Sequence, residues 1–320
     1  MQLTFPKLTP AFFHTYGKVF ALVITMIIGA LLPQASVLSS LVQYLLMAML
    51  FNAFLDLEID IRSVKINVLW VLLANLAVAF IAYKTFLLIN EQLALAAFAT
   101  AIAPTAIAST VIVSFIHGRV DFMVAAVLLT NIIIALVVPV VLPHMLAGDS
   151  AISTWDVLQP VLITMFVPLI LARIVRRLPQ RTQAFTHIVK HYNFALWLAN
   201  LFIISAKASD FIRSESSGAL DVLVQIALIS LLICVVNFAL GALLGGREYW
   251  QEASQALGQK NNSFAIWIAL TFINPLTAMG PTFYVLYHNL YNTWQIYRFE
   301  KQNNKNQGKP AAMPSSTSDC

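Results

Sequence analysis

The sequence predicts an all-α polytopic membrane protein: ten transmembrane helices forming two five-helix repeats of inverted topology. Composition is the first observation. Of 320 residues, 59% are hydrophobic and 10% charged, with a mean hydropathy of +0.79, whereas an ordinary soluble domain carries about 25% charged residues. The second is the length of the apolar runs, which recur at the roughly 20 residues that cross a bilayer and are separated by short polar breaks. The third is the distribution of basic residues, which becomes readable once the spans are placed.

Windows of about 19 residues place helices at 17–33, 37–56, 65–84, 91–117, 120–143, 157–177, 190–210, 219–246, 249–273 and 280–298. A cytoplasmic segment, 1–16, precedes them, and a polar tail, 299–320, follows and is expected to be disordered and cytoplasmic. The first run follows Lys7 and Lys18, as in a secretory signal peptide, with GALLPQAS as the cut site; the repeat needs this run as a helix instead. Ten spans put both termini on one side. That side collects Lys7, Lys18, Arg62, Lys65, Arg119, Arg173, Arg176, Arg177, Arg181, Lys190, Arg247, Arg298, Lys301, Lys305 and Lys309, against Lys84, Lys207 and Arg213 on the other. Lys260 alone is left over. By the positive-inside rule the termini are cytoplasmic, and an error of one span would scramble the asymmetry.

Five spans in each half, 17–143 and 157–298, force the second half to enter from the opposite side, giving an inverted repeat. The fourth span of each half is interrupted. In AIAPTAIAST, Pro104 removes a helix donor and is followed by Thr105, Ser109 and Thr110. In LGQKNNSFAI, Gly258 precedes five consecutive polar residues, Gln259, Lys260, Asn261, Asn262 and Ser263. Kinks with a few hydroxyls are common in membrane helices and can reflect packing alone. Five polar side chains in a row cannot all face lipid, and a charge at this depth costs several kcal/mol. Interruptions at matching places in two halves point to a transporter's binding site near the bilayer midplane.

Several function classes find no support. Cys234 lies in an apolar run and Cys320 in the polar tail, which is neither metal-ligand spacing nor a disulfide framework. The net charge of +5 comes from loops, without the basic stripe that nucleic acid requires. No Ser-His-Asp arrangement, His-Glu-x-x-His motif or pair of membrane-embedded aspartates marks an enzyme. No cofactor or metal is expected. Asp56, Glu58 and Asp60 beside Arg62 read as a solvated loop, and Arg173, Arg176, Arg177 and Arg181 as an orientation signal with anionic lipid contacts. Tyr284, Tyr287, Tyr291, Trp294 and Tyr297 form an aromatic series whose last members suit an interfacial belt.

At its interrupted spans the sequence resembles the bile acid:sodium symporter family over nearly its whole length. Pro104 to Thr110 falls on that family's Pro-Gly-Gly-Thr-Ala-Ser-Asn run, and Gly258 to Ala265 on its Gly-x-Gln-Asn-Ser-x-Leu-Ala run. Pro139-Val140-Val141-Leu142-Pro143 resembles the Pro-Leu-Leu-Thr-Pro of helix 5, and His288-Asn289 a His-Asn pair in the last helix. The resemblance implies broken helices 4 and 9 crossing inside a core domain, beside a panel domain, and a bacterial inner-membrane location. It also marks departures. Where sodium-coupled members carry a glutamate and a glutamine as sodium ligands, this chain has Ala256 and Lys260. Thr110 stands for an asparagine, Asn75 for a helix 3 glutamine, and Asn131 or Val127 for the helix 5 hydroxyls.

Losing a carboxylate and gaining an amino group leaves no electrostatic room for Na⁺, since sodium sites need oxygen ligands offset by negative charge. The expectation is a secondary transporter of a small organic anion, with Lys260 in place of sodium, donating to Ser109, Thr110 and exposed carbonyls of the broken helices. Three roles stay open for the lysine: a fixed internal cation, a proton carrier, or the substrate's counter-ion. His288 and Asn289 face the crossing or pack between helices. The partners are then the anion, membrane lipid and, in the second role, H⁺. The rival readings are a cation/proton antiporter of the same architecture, which requires an embedded carboxylate, and a non-transporting sensor.

Overall fold

In lipid a backbone must satisfy its own hydrogen bonds, and only helices do so segment by segment. The computed structural model describes residues 10–56, 65–146, 152–177, 192–214 and 219–307. Among them the regular structure is helical, apart from an isolated bridge between Thr105 and Lys260. The helices are α1 (Pro10–Leu31), α2 (Leu41–Asp56), α3 (Ile66–Leu87), α4 (Glu91–Ile102), α5 (Ala108–Phe115) and α6 (Val120–Met145). They continue as α7 (Thr154–Arg176), α8 (Asn193–Ser214), α9 (Ala219–Gly245), α10 (Trp250–Gly258), α11 (Asn262–Phe272) and α12 (Pro275–Gln307).

Six described helical segments are long and apolar enough to cross a membrane: Pro33–Leu55, Ile66–Leu87, Val120–Met145, Thr154–Arg176, Asn193–Ser214 and Asp221–Gly245. The first combines α2 with the 3-10 turn Pro33–Ser40 before it. Each remaining expected span has helical residues, but differently divided. The run at 91–117 is α4 and α5, and that at 249–273 is α10 and α11.

Two boundaries differ from expectation because of proline. The last helix starts at Pro275, not 280: proline fits the first turn, and Asn274 Oδ1 accepts the Thr277 N–H at 2.7 Å. Pro281 is carried inside that helix, which runs on to Gln307 through the beginning of the expected tail. Similarly, α1 begins at Pro10 and not at 17. Residues 1–9 and 308–320, together with Glu58, Asp60, Arg62, Arg181 and Lys190, lie outside the described residues.

Packing divides the helices into two groups. One contains α1, α2, α7 and α8; the other contains α3 to α6 and α9 to α12. The groups meet where α6 lies against α7, where α11 lies against α2 and where α12 lies against α1 and α8. Arg119 joins the α5–α6 link to the α9–α10 turn. Its guanidinium donates to Glu248 at 2.8 Å and to the Tyr249 hydroxyl at 2.7 Å, and its backbone N–H donates to Glu252 Oε1 at 2.7 Å.

Candidate functional site

Pro104 explains the first interruption. It cannot donate, and it disfavours helical backbone at the residue before it, so Ala103 is extended (φ −48°, ψ 135°) and α4 ends at Ile102. The second follows Gly258, where Gln259 is extended (φ −91°, ψ 101°) until Asn261 caps α11 by accepting the Phe264 N–H at 3.3 Å. Each interruption frees backbone groups deep in an apolar molecule, where an unpaired one is costly.

The freed groups pair with each other. Asn261 N–H donates to the Pro104 carbonyl at 2.7 Å and Ala106 N–H to the Gln259 carbonyl at 2.9 Å, closing an antiparallel bridge between Thr105 and Lys260. Side chains satisfy several others. Thr130 Oγ1 accepts the Thr105 N–H at 3.1 Å and Asn131 Nδ2 donates to the Thr105 carbonyl at 3.0 Å. The Thr105 hydroxyl donates to the Ala256 carbonyl at 2.6 Å, and the Tyr284 hydroxyl to that of Gly258 at 2.7 Å.

Lys260 is 2% exposed, and its Nζ donates to Asn75 Oδ1. Asn75 turns its Nδ2 to the Ile102 and Ala103 carbonyls at 3.4 and 3.3 Å. One amide on α3 therefore holds the C-terminal end of α4 and the lysine of the other break. This differs from the expected partners. The Ser109 and Thr110 hydroxyls donate to the carbonyls of Ala106 (2.6 Å) and Ile107 (2.8 Å) in their own chain. A hydroxyl in a first helical turn reaches such a carbonyl without reorganisation, so the local bond wins.

The other expected residues fall as follows. On α6 it is Asn131 whose side chain reaches the crossing, while Val127 supplies only a carbonyl to that amide. Asn262 Nδ2 meets His288 Nδ1 at 3.4 Å, both buried. Asn289 donates back to the Val285 carbonyl of its own helix at 2.6 Å. Gln259 is buried at the bridge and Ser263 is half-buried in the first turn of α11. No Asp or Glu occurs between residues 102 and 110 or between 256 and 263. Among the described residues, no three of His, Cys, Asp and Glu gather as a metal-binding group.

Thr130 and Tyr284 were not legible as site residues. Thr130 adjoins Asn131 and gave no separate signal; Tyr284 read as one of an aromatic series, although it is fully buried. Glu252, 5% exposed, is a buried acid whose role at the Arg119 link shows only in three dimensions. Beside the crossing, an apolar cleft between α4, α6 and α11 is lined by Phe98, Ile102, Val138, Leu142, Phe264 and Ile268.

A search of curated proteins returns no match. Residues 7–291 match the model of the SBF-like CPA transporter family, which bears out the resemblance to the bile acid:sodium symporters. By that match over most of its length, the chain belongs to the SBF-like CPA transporter family.

Proposed function

We propose that this protein is a sodium-independent secondary transporter of a small organic anion, working by alternating access, in which Lys260 takes the place of the ion. One observation carries the reading: a buried lysine at the pairing of the two interruptions is bonded to a neutral amide, with no carboxylate in either interruption. A cation fixed on the chain supplies what a bound sodium ion would supply, and it leaves positive charge to attract an anion, with the N-terminal ends of α5 and α11 adding to it.

In this reading the chain has ten spans in two inverted repeats, both termini are cytoplasmic, and the membrane is a bacterial inner membrane. A core of spans 3 to 5 and 8 to 10 moves against a panel of spans 1, 2, 6 and 7; the two packing groups are in keeping with that division. Thr105, Asn131, Gln259, Asn262, Ser263, His288 and Asn289 belong to the crossing region with Lys260, Asn75 and Asn261, while Ser109 and Thr110 shape the turn beneath it. A cation/proton antiporter would need an acid at the crossing. Glu252 precedes Lys260 by eight residues, about 12 Å along a helix, and is engaged by the Arg119 backbone.

Uptake of small carboxylates into proteoliposomes, with sodium exchanged for potassium and pH varied, tests the reading. Transport indifferent to sodium is expected. Indifference to pH as well marks Lys260 as a fixed cation, pH dependence makes it a proton carrier, and a KM raised at least tenfold by Lys260→Gln makes it the counter-ion. Absolute dependence on sodium would defeat the proposal.

A further inference from the structure

One polar feature extends from the crossing, beyond the residues that close it. On α12, His288, Asn292 and Gln295 recur at helical spacing, so they share a face, and they are 4%, 4% and 8% exposed. That face looks onto the second interruption and the helix leading to it. Gln255 of α10, fully buried, donates through Nε2 to Asn292 Oδ1 at 3.0 Å and to Gln295 Oε1 at 2.5 Å. One step deeper is the contact of Asn262 with His288. Phe238 and Tyr291, with ring centroids 4.1 Å apart, stand beside it. The seam ends one turn from Arg298, which is exposed and lies over the exposed Trp294 ring.

The seam is not closed by its own hydrogen bonds. Gln255 Oε1, Asn292 Nδ2 and Asn262 Oδ1 are buried atoms without a protein partner, each on a residue that otherwise bonds within the seam. Buried polar atoms are nearly always satisfied, and leaving one unpaired costs about 1–3 kcal/mol. Three such atoms on contacting residues of α10, α11 and α12, with both donors and acceptors among them, suit water, which bridges such groups in series. Packing alone would be served by apolar side chains at these positions, as on the opposite face of α10, where Leu257 sits in an apolar cluster with Val71 and Phe122.

We infer that the seam between α10 and α12 holds a file of water molecules joining the surface near Arg298 to the second interruption. It is a route for water and for cations of water's size, lying between α10 and α12, and it does not depend on Lys260 replacing sodium.

Silver ion, close to water in size and reactive toward thiols, is the probe. In the full chain carrying Cys234→Ser and Cys320→Ser, single cysteines are placed by Asn292→Cys, Gln255→Cys and, as the equally buried apolar control, Leu257→Cys. Purified protein is exposed to Ag⁺, then unfolded, and the surviving thiol is counted with a maleimide. Asn292→Cys and Gln255→Cys are expected to react at least tenfold faster than Leu257→Cys. If either replacement prevents folding, judged by loss of a cooperative thermal transition, Gln295→Cys replaces it. Seam cysteines that react no faster than Leu257→Cys would overturn the inference.

Discussion

At Lys260 and Asn75 a charge-bearing side chain and an amide share one buried bond, and each variant breaks it differently. Lys260→Met leaves Asn75 Oδ1 unpaired and is expected to cost about 1–3 kcal/mol. Asn75→Leu strands an amino group and should cost more, because an orphaned charge loses more than an orphaned neutral atom. The double variant replaces both partners by apolar groups and should recover part of the sum. Denaturant unfolding of the four proteins in detergent measures this; strictly additive losses would show that the two residues are not coupled. Lys260 was legible because charge is costly within a membrane span. Asn75 was named through the resemblance, but its pairing with the lysine was not legible, because sequence order does not show toward which neighbouring helix an extended residue points.

Between elements, the link across Arg119 and the approach of α9 to α10 are the testable features. Glu252→Leu removes the acceptor of the Arg119 N–H in a half-buried hydrogen bond and should lower stability by about 1 kcal/mol, whereas Glu252→Gln keeps an acceptor and should be nearly silent. The Glu248 carboxyl is held below the usual carboxylate range, first by the Tyr249 hydroxyl and then by Arg119. A lowered folded value means that its contribution is present above that range and is lost as the pH falls through it. Protection of the amides of Gly118 to Val120, relative to their intrinsic exchange rates, is therefore expected to fall on acidification. A β-carbon at Gly241 would lie 2.8 Å from the Ser254 Cα. Gly241→Val should cost about 1–3 kcal/mol by overpacking, against a gain in helix propensity of only a few tenths. Pro104 and Gly258 made the interruptions readable, since both have a fixed backbone meaning. The start of α12 was placed late because a hydropathy window follows the apolar run and not the backbone, and the Asn274 cap shows that the helix has already begun at Pro275.

For the whole molecule, the sequence carried the hydrophobic class and the pairing of two interrupted segments, since burial and helix breaking are local properties. What lay outside its reach was closure: which carbonyl of one break meets which N–H of the other, that Asn131 and not Val127 turns its side chain to the crossing, and that Thr130 and Tyr284 complete the set. Those depend on three-dimensional proximity between residues far apart in sequence, 157 positions for Pro104 and Asn261 and 151 for Thr105 and Ala256. The central claim is that the lysine stands where an ion would otherwise hold the crossing together. Thermal stability of the purified protein in NaCl against KCl at one ionic strength, for wild type and Lys260→Glu with Ala256 unchanged, tests it most directly. Wild type should melt at the same temperature in both salts, and the variant should be stabilised by sodium, by about 2.7 kcal/mol at 100 times its dissociation constant. Specific stabilisation of the wild type by sodium would contradict the account.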